Sequence, residues 1–210
     1  LSVAALEHET FAVRLLDLCD NFEDARRMIA SSPALRDVIQ VMANAVSARG
    51  TFSSFRPLSA EARNLDGLRC SAVLLDELHE CDPVVVEKLK AGFKGREQPI
   101  QFEITNAGHD RASICYQHHE YSRRVLEGLA IDDEWFGYVA ALDDGDDYAD
   151  ERVWHKANPN LGISIERDYL RTQVREADAI AHKADIVRRL NFCIWTRTVT
   201  RAIDVAEWDK

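Results

Sequence analysis

The hydrophobic positions change period several times along the chain, and each change marks an element. Over residues 21–31, NFEDARRMIAS, the residues Phe22, Ala25, Met28 and Ile29 recur at helical spacing. Pro33 then suits the first turn of a second short helix that runs to about Ile39. Two alternating stretches follow, near 40–47 and 51–56, with Arg49-Gly50 between them as a turn signal, which predicts a β-hairpin. Residues 71–75 form an uninterrupted apolar run of the kind a fully buried strand shows. Asp82-Pro83 caps a helix through about Ala91, and 99–105, PIQFEIT, predicts a further strand. Strand, helix and strand in such short succession, both strands apolar, describe a parallel βαβ unit.

Beyond that unit the pattern predicts a helix near 115–128, a strand at 135–142, an acidic loop, and helices at about 165–181 and 183–193. In the last of these, Ile186, Leu190 and Ile194 with Trp195 beside them supply an apolar stripe, with Arg188 and Arg189 facing elsewhere, so this region is expected to pack back on the core. KANPNLG at 156–162 is the clearest break, which places a boundary between 145 and 160. Residues 1–20 stay unassigned, 21–145 form an α/β core, and 146–210 a helical appendage. The fold class is thus α/β, a parallel sheet with flanking helices followed by helices.

A hydrophobic content of 46% in 210 residues is enough for a real core. Five cysteines, with no CxxC pair and no Cys/His cluster at zinc spacing, argue against a disulfide framework and against structural zinc, and they fit a reducing, cytosolic setting. No apolar run is long enough to span a membrane, and no export signal is visible. The net charge of −10 argues against a protein that simply coats nucleic acid. Nine acidic and no basic residues fall between Asp132 and Glu151, so the excess is local and reads as a solvated acidic loop without calcium-loop spacing.

The chemistry concentrates in SAVLLDELHE, residues 71–80, where an apolar strand runs straight into Asp76 and Glu77. Ionised carboxylates are seldom buried unless they are paired or bind a metal. At the end of a strand in an α/β sheet, both can reach the crevice at the carboxyl ends of the strands. In a P-loop nucleotidase such an Asp holds Mg²⁺ through water, and the Glu polarises the water that attacks the γ-phosphate. The same pair also suits an ordinary solvated turn. The next strand ends in Thr105-Asn106-Ala107-Gly108, small polar residues where a γ-phosphate sensor would sit, or an ordinary strand-ending turn. His79 reads either as orienting Glu77 or as capping its loop.

Six segments in order, DARRMIASSPALR (24–36), FRPLSAEARNLDGL (55–68), AVLLDELHE (72–80), GREQPIQFEITNAG (95–108), HKANPNLGISIERDYL (155–170) and RRLNFCIWTRT (188–198), resemble the large terminase subunit of tailed bacteriophages, the ATPase that drives DNA into preformed capsids. The resemblance covers about 21–210. It implies an incomplete P-loop NTPase-like sheet, with Asp76 as the magnesium-coordinating aspartate, Glu77 as the catalytic glutamate, and Thr105, Asn106, Ala107 and Gly108 as the motif coupling hydrolysis to movement. It further implies ATP and Mg²⁺ as cofactors and double-stranded DNA, the portal protein, the small terminase subunit and further copies of the chain as partners. The setting it implies is the cytoplasm of the bacterial host, with no membrane. An arginine acting on a neighbouring subunit's γ-phosphate has candidates in Arg63 and Arg69.

The chain departs from that pattern at both ends. No GxxxxGK[ST] occurs in it, so the glycine-rich phosphate cradle is missing, and residues 1–20 do not resemble the family. The sheet is therefore expected to lack its loop-bearing strand. VAEWDK at 205–210 looks like the segment just before the family's nuclease domain, which makes 146–210 a linker leading towards that domain. The other readings are a non-catalytic remnant of a prophage gene and another P-loop enzyme such as a helicase, for which Asp-Glu-x-His at 76–79 is a loose match.

Overall fold

The computed structural model describes residues 10–14, 18–51, 53–58 and 65–196. Arg63 and the segment 205–210 lie outside the described residues. The chain divides into two compact units, residues 1–105 and 106–210. The division falls at Thr105-Asn106, earlier than the break suggested by KANPNLG, because the helix after the βαβ unit belongs with the second unit.

The first unit is built on a six-stranded sheet. Its elements are β1 (Thr10–Arg14), α1 (Leu18–Ser31), α2 (Pro33–Val38), β2 (Ile39–Val41), β3 (Val46–Ala48), β4 (Ser54–Leu58), β5 (Ala72–Leu75), α3 (Pro83–Ala91) and β6 (Ile100–Glu103). The strand order is β2-β3-β4-β1-β5-β6. Strands β4, β1, β5 and β6 run parallel, and β2 and β3 add an antiparallel edge.

The βαβ unit forms as its sequence pattern predicts. Strands β5 and β6 are parallel neighbours, pairing Ala72 with Ile100 and Leu75 with Glu103, with α3 between them in the chain. Helix α3 starts where Asp82 accepts a hydrogen bond from Val84 N at 2.8 Å and Pro83 fills a first-turn position whose N–H would have had no partner. Val73 and Leu75 of β5 and Val85, Val86 and Leu89 of α3 are all essentially inaccessible.

Three expectations change here. The sheet does not lack a central strand: Thr10–Arg14, in the unassigned stretch, lies between β4 and β5 and pairs with both. A five-residue strand needs neighbours more than it needs a motif, and both edges were available. The first arm of the hairpin is also two strands rather than one, because the chain reverses at 42–45, where Met42 N donates to Ala45 O at 2.8 Å. The second reversal, at Arg49-Gly50, does join β3 to β4, and Gly50 takes the left-handed φ of 77° that the turn requires. The third change concerns 135–142, which forms no strand.

In the second unit, α4 (Ile114–Leu126) is followed by an irregular stretch, then α5 (Trp154–Ala157), α6 (Arg167–Ala179) and α7 (Ala181–Phe192). Ser113 caps α4 by accepting from Tyr116 N. The core consists of Trp154, Leu170, Val174, Ala177, Val187 and Phe192. Leu170, Val174 and Ala177 are at i, i+4 and i+7, one face of α6. Of the stripe expected on α7, Ile194 packs against this core, whereas the two residues within the helix do not. Ile186 and Leu190 are 41% and 46% exposed, Val187 is buried with Ala184 beside it, and Arg189 Nε is buried without a hydrogen-bond partner. Both stripes satisfy a helical period, and α6 and α5 meet the one that carries Val187.

The acidic loop is held by ion pairs. Lys156 Nζ reaches Asp143 and Asp146 at 2.6 and 2.7 Å, Arg152 pairs with Asp150, and Arg171 with Glu151. Hydrogen bonds from these cations hold Asp146 and Glu151 below the usual carboxylate range and bring Asp150 to about 2. Among the described residues no group of three or more His, Cys, Asp or Glu is arranged to hold a metal ion.

Candidate active site

The site begins where β5 ends. Leu75 is the last strand residue, and its carbonyl accepts from Ile104 N at 2.8 Å, which carries the sheet one step past β6. Asp76 leaves the strand with Oδ1 accepting from the backbone N–H of Glu77 at 3.0 Å. That turn sets Glu77 in the left-handed region, φ 51° and ψ 52°, one of two non-glycine residues with positive φ among those described. Such a conformation costs on the order of 1–2 kcal/mol for a residue with a Cβ, and it persists because the surroundings over-determine it.

The surroundings are the end of β6. Leu78 N donates to Ile104 O at 3.2 Å, and His79 N donates to Thr105 Oγ1 at 3.1 Å. Cys81 Sγ lies 3.7 Å from Glu77 O, and Leu78 is buried beneath the turn. The two strand ends are thus tied directly, and the carboxylates of Asp76 and Glu77 emerge half-buried at the carboxyl end of a strand flanked on both sides.

His79 takes part in both arrangements that sequence leaves open, its ring against Glu77 and its backbone N–H tied to Thr105. The ring is nearly buried, with Nδ1 3.1 Å from Glu77 Oε2 and 3.0 Å from Thr105 Oγ1. One ring nitrogen therefore stands between two of the residues singled out for chemistry. Nε2 lies 3.4 Å from Glu80 Oε1. The signal in the chain is the spacing Glu-x-His after an apolar strand, which cannot show which way the ring turns.

Other predicted residues scatter. Arg69 is exposed at the amino end of β5, opposite the carboxylates, and its carbonyl accepts from Arg96 at 3.0 Å. Thr105 closes the first unit and Asn106 opens the second. Ala107 and Gly108 are buried in the second unit, where Cys193 Sγ approaches Asn106 Oδ1 at 4.0 Å, and burial pushes the Cys193 thiol up.

The carboxylates fit a magnesium–nucleotide ion better than a protein-only metal site. Mg²⁺ is commonly held by one or two carboxylates together with phosphates and waters, and two adjacent carboxylates at a strand end supply the protein share of that set.

Sequence comparison decides the family. A model described as terminase large subunit, ATPase domain, matches residues 21–124, and one described as terminase large subunit, endonuclease domain, matches 130–210. The chain belongs to the large terminase subunit family. Among curated relatives of this terminase chain, Protein YmfN of Escherichia coli strain K12 is 31% identical over 147 residues, covering 70% of this chain and 32% of that protein. The crystal structure of the HK97 bacteriophage large terminase superposes with a TM-score of 0.80 at 18% identity, over 99% of this chain and 44% of that one. A large terminase from a thermophilic bacteriophage superposes with a TM-score of 0.51 at 12% identity, over 93% of this chain and 42% of that one. The terminase chain described here thus spans a third to under half of these relatives. The endonuclease-domain match takes in the stretch 146–210 that sequence reading makes a linker.

Proposed function

We propose that this chain carries part of the ATPase of a DNA-packaging motor, with Asp76 placed to hold Mg²⁺ through water and Glu77 to orient and polarise the attacking water. The observation that supports this most is the strained, doubly anchored turn. A left-handed Glu77 is held by its neighbours at the carboxyl end of β5, with His79 linking it to Thr105. Strain of this kind clusters at functional sites, where it pre-sets a side chain. Bound Mg²⁺ would neutralise charge on the transferring phosphoryl group. The residues of this chain supply the rest: Asp76 binds and Glu77 orients. His79 hydrogen-bonds Thr105 with its ring beside Glu77, and Thr105 to Gly108 follow the site in the chain and so suit a coupling role.

In the assembled protein the partners would be double-stranded DNA, the portal protein, the small subunit and further copies of the chain, in the host cytoplasm. No helix among the described residues is long and apolar enough to cross a membrane. Arg63 and Arg69 remain the arginines proposed to act in trans. The match at 130–210 supports reading the second unit as the passage into nuclease sequence.

These 210 residues contain no phosphate cradle, and a P-loop sheet without its loop has little affinity for ATP. The experiment is a titration of the purified chain with a fluorescent ATP analogue and Mg²⁺, paired with turnover assays. This chain should bind weakly and hydrolyse poorly. In a homologous polypeptide that carries the loop, the substitution equivalent to Glu77→Ala should keep binding while turnover falls at least about a hundredfold. The Asp76→Ala equivalent should weaken Mg²⁺-nucleotide binding as well. Robust turnover by the 210-residue chain would refute the missing cradle, and undiminished turnover in the glutamate variant would remove the catalytic role.

A further inference from the structure

Residues 135–142, WFGYVAAL, have the composition of a strand and none of its pairing. Among the described residues, the backbone N–H and C=O groups of 136–141 enter no hydrogen bond. These backbone groups are left to water, as at the bare edge of a sheet, in a stretch that is apolar throughout.

The segment is nonetheless fixed. Trp135 Nε1 donates to Ser122 Oγ on α4 at 2.9 Å, and its ring meets those of Tyr121 and His118 edge-on at 4.9 and 5.2 Å. A Cβ on Gly137 would lie 2.8 Å from Ser122 Cβ, so the backbone there rests directly on the helix. Trp135 and Gly137 face inward, while Phe136 and Tyr138 are 88% and 72% exposed. Over 135–138 that is the period-two alternation of a strand; it stops at Val139, which is also exposed.

Charge selects the occupant. Of the acidic residues around the segment, Asp132 is taken by Tyr121, Asp143 and Asp146 by Lys156, Asp150 by Arg152 and Glu151 by Arg171. Asp133 and Glu134 before the segment, and Asp144 and Asp147 after it, make no ion pair among the described residues. Carboxylates without a cation therefore flank the bare backbone at both ends. A second copy of the same segment would set acid against acid in either direction, and an anionic membrane surface would be repelled.

We infer that 135–142 is an acceptor edge for a β-strand supplied by a separate polypeptide, an extended segment of alternating apolar residues with Lys or Arg at both ends. Addition of a strand to a bare edge gives affinity through main-chain hydrogen bonds and specificity through alternate side chains and flanking charge.

The test is amide hydrogen exchange on the 210-residue chain, alone and with millimolar capped peptide Lys-Lys-Val-Thr-Val-Thr-Val-Thr-Val-Lys-Lys. In the free chain the amides of 136–141 should exchange as unprotected groups, and the peptide should slow them at least about tenfold. The same peptide with Glu in place of Lys should not. Val139→Pro, which removes an N–H that has no partner in the free chain, should leave the thermal midpoint nearly unchanged and abolish the protection. The inference is overturned if the peptide gives no slowing, or if the Glu-flanked peptide protects equally. It is also overturned if protection in the free chain rises with protein concentration, which would name a second copy as the occupant.

Discussion

Two apolar runs in this molecule end in paired carboxylates. AVLL leads into Asp76-Glu77, and YVAAL into Asp143-Asp144. The first is hydrogen-bonded on both edges, and its carboxylates are held in a strained turn that keeps them half-exposed. The second has no strand on either edge, and Asp143 is bound with Asp146 to one lysine that closes a surface loop. The same local pattern thus yields a candidate site in one place and a structural clasp in the other. What separates them is the neighbour: β6 receives the turn after Leu75 through Ile104 and Thr105, whereas the carboxylates just beyond Leu142 close on Lys156.

The largest effect that sharpens this contrast is on stability. Leu89→Ala, at a fully buried position of α3 in the β5 unit, should cost about 2–5 kcal/mol. Phe136→Ala, at an 88% exposed position, should fall within about 0.5 kcal/mol. Urea unfolding of the two variants compares them directly, and equal losses would mean that the second run is as well packed as the first.

A smaller effect tests the strain. Glu77→Gly removes the Cβ from a left-handed position, so it should raise stability by up to about 1 kcal/mol despite the entropy glycine adds to the unfolded chain. The same measurement on Asp144→Gly should show no gain, since Asp144 is not among the described non-glycine residues with positive φ. A loss at Glu77 would show that the turn is not strained.

The smallest effect lies in acid. The hydrogen bond from Lys156 lowers the Asp146 carboxyl, so its stabilising share is present above the ordinary aspartate range and is lost as pH falls through the depressed folded-state value. In Lys156→Met that share is gone, and the unfolding midpoint should depend less on pH below about 4 than in the parent chain. The contribution of Asp150, held at about 2 by Arg152, should survive in the same variant. An unchanged acid limb would mean that the lysine clasp contributes nothing in solution.

Much of this is legible in the chain. The apolar runs at 71–75 and 99–105, the Asp82-Pro83 start of α3 and the carboxylates after Leu75 follow from period, capping and composition, because each depends on residues within a few positions of one another. Local pattern is therefore enough for the βαβ unit and for placing Asp76 and Glu77 at the end of its first strand. Pairing is a different quantity, since it depends on which edges are free once everything else has packed. Packing alone puts Thr10–Arg14 in the slot between β4 and β5, lays 135–142 on α4 without a strand partner, and buries Val187 of α7 in preference to Leu190. It also turns the His79 ring between Glu77 and Thr105, because that ring's direction is set by a hydroxyl twenty-six residues away in the chain.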